Sequence, residues 1–180
     1  MIPVCLRQIA NPNGKELAAK KAADLVNDGD TVLMDASTTV FRMCHYLKNK
    51  KHLKIITNNL GICQELGQLD NITVYCTGGT FVGNSGCFLG SYAEDFIRHI
   101  KADILFFSSQ GISADGKITD VGEQEIAMRK VMLRSAKKKV FVCDSSKFGI
   151  EKPFLLCSLE DVDSVICDQE LRFANAPESP

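Results

Sequence analysis

The stretch TVLMDASTTVFRMCHYL, from Thr31 to Leu47, decides how the chain folds. It opens on the apolar run Thr31-Val32-Leu33-Met34, bounded upstream by the turn signal Asn27-Asp28-Gly29-Asp30, and reads as a buried strand. It closes with Val40, Phe41, Cys44 and Leu47 at helical spacing. Between strand and helix lies Asp35-Ala36-Ser37-Thr38-Thr39, small and rich in hydroxyls. A sharp strand-to-helix turn leaves the first helical N–H groups unpaired. The helix dipole adds partial positive charge at that end, which suits an anion such as phosphate. Against this stands the ordinary capping role of Ser and Thr, which needs no ligand.

Outward from this stretch the pattern repeats. Apolar strands are expected at Leu53 to Thr57, Ile72 to Cys76, Ala102 to Ser108, Val140 to Cys143 and Ser164 to Cys167. The run Ile104-Leu105-Phe106-Phe107 reads as a strand buried on both faces. Helices are expected over Lys15 to Asn27, after Asn59, around Ala93 to Ile100, and from about Gly122 to Ala136. The alternation predicts an α/β fold, a Rossmann-like, mostly parallel sheet with helices on both faces. The expected organisation is an irregular lead over 1–14, one sensor-sized domain over 15–168 and a frayed tail over 169–180. Phe81 to Leu89 reads as a loop or short hairpin over the site, and Ser109 to Gly116 as a loop.

Composition narrows the function. The chain has 180 residues, 45% of them hydrophobic and 24% charged, enough for one domain with a real core. Lys plus Arg is 21 and Asp plus Glu is 22, a net of −1, without the basic footprint of a nucleic-acid binder. Eight cysteines include no C-x-x-C pair, so no metal site is expected and they read as small core residues of a reducing compartment. No apolar leader and no membrane-length segment is evident, and the cytoplasm is the expected location. His45, His52 and His99 read as structural.

Ligands of parallel sheets bind beyond the carboxyl ends of the strands. Five small-residue turns follow strands: Asp35 to Thr39, Thr57-Asn58-Asn59, Thr77 to Thr80, Ser108 to Gly111 and Asp144 to Lys147. They are expected to converge on one edge. Lys147 in Asp144-Ser145-Ser146-Lys147 is a compact charge suited to a phosphate or sugar hydroxyl. Gly78-Gly79 is either a close approach to ligand or only a turn. Glu123 and Glu125 open a helix, where carboxylates favour the dipole in any case. A carboxylate is also what sugar isomerisation requires of a general base.

The succession D-A-S-T-T, T-N-N, T-G-G-T, G-C-F-L-G, D-I-L-F-F-S-S-Q-G-I-S-A-D-G-K-I-T-D, G-E-Q-E-I-A-M-R-K and V-C-D-S-S-K-F-G resembles the effector-sensing domain of DeoR-type bacterial transcriptional regulators. The resemblance runs from about Lys15 to Asp168. It implies a fold shared with sugar-phosphate isomerases and CoA transferases (NagB/RpiA/CoA transferase-like). It implies a phosphorylated sugar or related anionic metabolite as ligand, held at its phosphate by Ser37, Thr38 and Thr39. Lys147 with Asp35, Asn58, Gly78 and Gly111 would line the sugar end, and Gly79 and Glu123 complete the candidate set. No cofactor is implied. A homodimer or homotetramer is expected, acting on DNA only through an N-terminal winged helix-turn-helix that is absent from this chain. The family usually has glycine where Ser37 stands and usually continues beyond the last strand.

The alternative is an aldose-ketose sugar-phosphate isomerase. Asp144-Ser145-Ser146-Lys147 also resembles a stretch of ribose-phosphate isomerases. Gly116 to Glu123 keeps the acids of their catalytic loop but not its glycine run.

Overall fold

The computed structural model describes residues 3–171 and 173. In chain order its first half comprises α1 (Val4–Ile9), α2 (Pro12–Ala23), β1 (Thr31–Met34), α3 (Thr38–Phe41), α4 (Cys44–Leu47), β2 (Leu53–Thr57), α5 (Leu60–Leu66) and β3 (Ile72–Cys76). There follow β4 (Thr80–Val82), β5 (Cys87–Leu89), α6 (Ser91–Arg98), β6 (Ala102–Phe107), β7 (Gly111–Ile112), β8 (Lys117–Asp120), α7 (Glu123–Arg134), β9 (Ala136–Cys143), β10 (Phe154–Ser158) and β11 (Ser164–Cys167).

Six of the strands make one sheet in the order β11-β9-β6-β1-β2-β3, with every neighbouring pair parallel. β1 lies at its middle, with Val32 beside Ile55 on one flank and Ile104 on the other. Successive strand residues face opposite sides. Val32, Met34, Phe106 and Val142 therefore enter one core with α2 to α5, while Leu33, Leu105, Phe107 and Cys143 enter a second with α6 and α7. Apolar residues on both faces are why these strands read as unbroken runs in the sequence.

Of two small sheets, the three-stranded one was not foreseen, while the two-stranded one is the short hairpin expected over Phe81 to Leu89. β10-β8-β7 is antiparallel, and it occupies part of the segment read as the loop Ser109 to Gly116. β4 and β5 form the hairpin over Phe81 to Leu89, pinned to the β2 turn by Phe88 N–H donating to the Asn58 carbonyl at 2.8 Å.

Other expectations need correction. The lead over 1–14 is not irregular: it contains α1 and the start of α2, which is capped by the Asn11 side chain and has Pro12 at its first turn. The helix expected after Thr39 divides into α3 and α4, because Arg42 and Met43 donate three residues back, to Thr39 and Val40. The strand expected over Val140 to Cys143 begins earlier, at Ala136, with Lys137 and Lys138 exposed on it. Cys5 and Cys76 are exposed instead of core residues. Of the tail, 172 and 174–180 lie outside the described residues.

A buried ionic link joins the strand ends to the helix layer. Asp35 follows β1, Asp120 ends β8, and Arg129 reaches both from the second turn of α7. Arg129 Nε donates to Asp35 Oδ2 at 2.7 Å and Nη1 to Asp120 Oδ2 at 2.9 Å, with all three side chains buried. The remaining carboxylate valences are used as well. Asp35 Oδ1 accepts from Ser37 N–H at 3.0 Å and Oδ2 also from Ser108 N–H at 3.3 Å. Asp120 Oδ1 accepts from Gln110 Nε2 at 3.0 Å and from Val121 N–H at 2.7 Å. Burial works against the Arg129 charge, but Asp35 and then Asp120 outweigh it and hold the guanidinium more firmly protonated than usual.

Phe106→Ala, which empties a fully buried site, is expected to lower stability by about 3–5 kcal/mol in urea denaturation. Leu155→Ala, at a half-exposed position, should stay within about 0.5 kcal/mol. Arg129→Met strands two buried carboxylates and should cost about 3–5 kcal/mol. Adding Asp120→Asn to that variant should restore part of the loss, a non-additivity that the same melts measure.

Candidate anion-binding cleft

The five turns named from the sequence do gather at the carboxyl edge of the sheet, although not all of them face the same space. A narrow cleft is bounded by Ser37, Thr38 and Thr39 after β1, by Ser108, Ser109 and Gln110 after β6, and by Lys147 after β9. Arg7 from α1 and the Asp120–Arg129 pair close it from the other sides.

Ser37 performs the ordinary capping role. Its Oγ accepts from Val40 N–H at 3.3 Å, and its own N–H is taken by Asp35. The next two amides, of Thr38 and Thr39, donate to no acceptor among the described residues, and their hydroxyls are likewise unengaged there. α3 has only four residues, so its dipole is small and the turn's attraction for an anion does not rest on it. Side-chain charge supplies the field instead. Arg7, Arg129 and Lys147 stand against two carboxylates, Asp35 and Asp120, which Arg129 already neutralises in part.

Lys147 is set in place by a second buried pair. It ends the 3-10 turn Ser145–Lys147, whose preceding residue Asp144 is fully buried. Asp144 Oδ1 accepts from Asn11 Nδ2 at 2.8 Å, from Ser146 N–H at 3.2 Å and from the Ser146 hydroxyl. The buried Lys15 ammonium lies 3.7 Å from Asp144 Oδ2 and also donates to the Ala10 carbonyl. Burial pulls Lys15 below the usual lysine range, and the Asp144 charge opposes that pull. Lys147 itself is half-buried and forms no ion pair among the described residues.

Of the ten candidate residues, Ser37, Thr38, Thr39 and Lys147 border the cleft directly. Asp35 and Asn58 border a second, adjoining gap with Glu125, Met128 and Arg129. Both Asp35 oxygens are engaged, whereas Asn58 gives its amide to the Phe88 carbonyl at 3.0 Å and keeps a buried side-chain oxygen without a partner. Gly78, Gly79, Gly111 and Glu123 are not brought against either space. Gly79 has φ +100°, and a side chain there would meet the Leu89 carbonyl. Gly111 packs against the Ile150 carbonyl, leaving no room for a Cβ. Glu123 is exposed at the start of α7, and Glu125 is the carboxylate that points toward the gap.

Arg7, Gln110, Asp120, Arg129 and Lys15 were missed from the sequence. A detectable trace exists for Arg129, which shares an apolar stripe with Ile126 and Met132 at three-residue spacing, an unusual place for an unpaired charge. Among the described residues, no group of three or more His, Cys, Asp or Glu side chains is arranged to hold a metal ion, and no helix is long and apolar enough to cross a membrane.

The free volume inside the cleft is about 20 Å³, the size of a water. Beyond Thr38 it meets a cavity of about 150 Å³ bounded by Gln8, Phe41, Asn59 and Ser85.

Comparison with known proteins identifies the family. The family model described as "DeoR C terminal sensor domain" matches residues 10–169. The Listeria innocua HTH-type transcriptional regulator GolR is 31% identical over 93% of this chain and 66% of its own length. The Escherichia coli glycerol-3-phosphate regulon repressor is 28% identical over 90% of this chain and 64% of its own. An HTH-type transcriptional regulator of Haemophilus influenzae is 32% identical over 87% and 61%. The chain thus spans less than two thirds of the length of each of these relatives. Among solved structures, eIF2B delta from Chaetomium thermophilum superposes with a TM-score of 0.59 at 15% identity, over 92% of this chain and 59% of its own. Ribose 5-phosphate isomerase A from Neisseria gonorrhoeae superposes with 0.54 at 15%, over 77% and 53%. At that identity these two show a shared Rossmann-like fold and nothing of activity. The match over nearly the whole chain, on a six-stranded parallel sheet with its polar turns gathered at one edge, places this protein in the family of DeoR C-terminal sensor domains.

Proposed function

We propose that the cleft at Thr38, Thr39 and Lys147, widening beyond its water-sized volume by a shift of the Arg7 wall, receives the phosphate of a small phosphorylated sugar or polyol, and that the domain reports that metabolite to a transcriptional regulator. The observation that carries the reading is the surplus of donors. Two turn amides, two threonine hydroxyls and the Lys147 ammonium converge on one space, and no protein acceptor among the described residues satisfies them. Donors that the protein's own acceptors leave open are free to bind an anion, and charge-assisted bonds to a phosphate are the stronger kind. The name of one relative, a glycerol-3-phosphate regulon repressor, supports a phosphate ester as the class of ligand. The buried Asn58 oxygen and the 150 Å³ cavity beside Thr38 offer room and an acceptor for the hydroxyl-bearing remainder.

In this reading the sensing unit runs over 15–168, covered at its open edge by the helix in the lead over 1–14. Ligand binding shifts the population of quaternary arrangements, a homodimer or homotetramer, and so alters operator affinity through a helix-turn-helix of the kind the relatives' names record. The location is the cytoplasm, where operator DNA and phosphorylated metabolites both occur.

The isomerase alternative is the weaker one on geometry. Aldose-ketose chemistry requires a carboxylate free to take a proton within reach of the substrate. Asp35 and Asp120 are both engaged with Arg129 and Glu123 is exposed away from the cleft, which leaves Glu125, half-buried at the adjoining gap, as the one carboxylate near the site that such chemistry could use among the described residues.

Thermal melts against a panel comprising inorganic phosphate, glycerol 3-phosphate and ribose 5-phosphate test the proposal. At a hundredfold excess over Kd, a bound ester should raise Tm by about 5–10 °C. Thr38→Ala and Lys147→Ala should each reduce that rise. Absence of any shift across the panel defeats the reading. Turnover of ribose 5-phosphate, lost in Glu123→Gln, would put the isomerase first.

A further inference from the structure

Helix α1 ends just before residue 10, where the family match begins, yet it closes the cleft. Arg7 projects from it into the space beside Arg129, and Gln8 borders the adjoining cavity. Arg7 is poorly served there. Its Nε is buried without an acceptor, and its guanidinium makes no hydrogen bond or ion pair among the described residues. Burial, and next the neighbouring Arg129 charge, pull it below the usual arginine range, although Asp120 and Asp35 oppose them.

The hold of α1 on the domain is otherwise slight. Leu6 and Ile9 turn outward, 52% and 72% exposed, so α1 contributes little apolar burial through them. Its backbone is tied by Arg42 Nη2, which donates to the Gln8 carbonyl at 2.9 Å while Arg42 Nη1 pairs with Glu16 at 3.0 Å. A segment with few buried apolar contacts opens at low free-energy cost, and a small gain at one side chain changes its docked population.

We propose that α1 is a clasp operated by the ligand: Arg7 is a phosphate-binding residue delivered from outside the matched sensor segment, and an anion in the cleft draws α1 onto the domain edge. The inference rests on the phosphate-ester reading of the cleft. A planar guanidinium offers up to five donors in a fork that matches phosphate oxygens, so an anion between Arg7, Lys147 and the Thr38 and Thr39 amides supplies the acceptor that the buried Nε lacks. The coupling is reciprocal. If the anion tightens α1, docked α1 tightens the anion by the same factor. Occupancy would thereby be expressed at the N-terminal end of the domain.

The test uses the full 180-residue chain. Amide hydrogen exchange over Val4–Ile9 is measured with and without glycerol 3-phosphate, and with inorganic phosphate as the minimal probe. The affinity of both probes is compared between wild type and Arg7→Met, which keeps the apolar stem and removes the charge. Exchange in Val4–Ile9 should slow by about tenfold or more on binding, and Arg7→Met should weaken both probes by about the same factor. Because Arg7 has no hydrogen-bond or ion-pair partner among the described residues, Arg7→Met should not lower the Tm measured without probe. Binding of either probe with unchanged or faster exchange in Val4–Ile9 overturns the clasp and leaves the phosphate reading standing. So does equal affinity in Arg7→Met, and a lowered ligand-free Tm with unchanged affinity would mark Arg7 as structural. Failure of the wild type to bind either probe, or any ester of the melt panel, overturns both.

Discussion

Arg129 is the constraint on which the arrangement of the site depends. It is the buried cation that ties the end of β1 to the end of β8, and those two strands belong to different sheets. Without it Asp35 could not remain buried while holding the Ser37 and Ser108 amides, and the two turns that wall the cleft would lose their common anchor. An ion pair of this kind adds little net stability against an apolar substitute, but it permits only one relative placement of the groups it joins. Here the elements so placed are the hydroxyl turn after β1, the serine turn after β6 and α7.

The same device occurs a second time. β1, β8 and β9 are each followed by or end in an aspartate, and each of those aspartates is buried against a cation supplied by a helix: Arg129 of α7 for Asp35 and Asp120, Lys15 of α2 for Asp144. The aspartates work as acceptors for the backbone of the following turns, which fixes the turns without employing their outward donors. With the carboxylates offset in part from behind by Arg129 and Lys15, Lys147 and Arg7 supply the positive charge in front. A strand edge carrying three buried acids is therefore able to attract an anion.

The main sheet was legible because its inner strands β1, β2, β6 and the end of β9 are buried on both faces and read as apolar runs, while the more exposed edge strands β3 and β11 still read as short β-branched segments closed by turn residues. The hydroxyl turns were legible for the same reason: they sit where those runs stop. What escaped was decided by tertiary context. β7 has two residues, and β8 and β10 pair across more than thirty residues of sequence, so no local period betrays them. The break between α3 and α4 leaves the apolar positions unchanged and alters only the hydrogen bonding, which spacing does not record. Arg7 and Lys15 sit in helices that look like ordinary polar surface until the strand-end turns are folded against them. The expected dipole was the one physical term overestimated, since it presumed a long helix where four residues form.

The fold itself is neutral between sensing and catalysis. Solved neighbours at 15% identity include both a ribose 5-phosphate isomerase and an eIF2B subunit. What distinguishes the two uses is the state of the carboxylates at the strand ends. A proton-transferring carboxylate needs an oxygen open to the substrate, and one held between a guanidinium and two backbone amides presents none. In this chain Asp35 is held in that way, and Asp120 nearly so. The arrangement favours retention of an anion over its transformation. It also leaves the wall formed by α1 as the part of the site least determined by the rest of the fold, and hence the part best able to respond when the anion arrives.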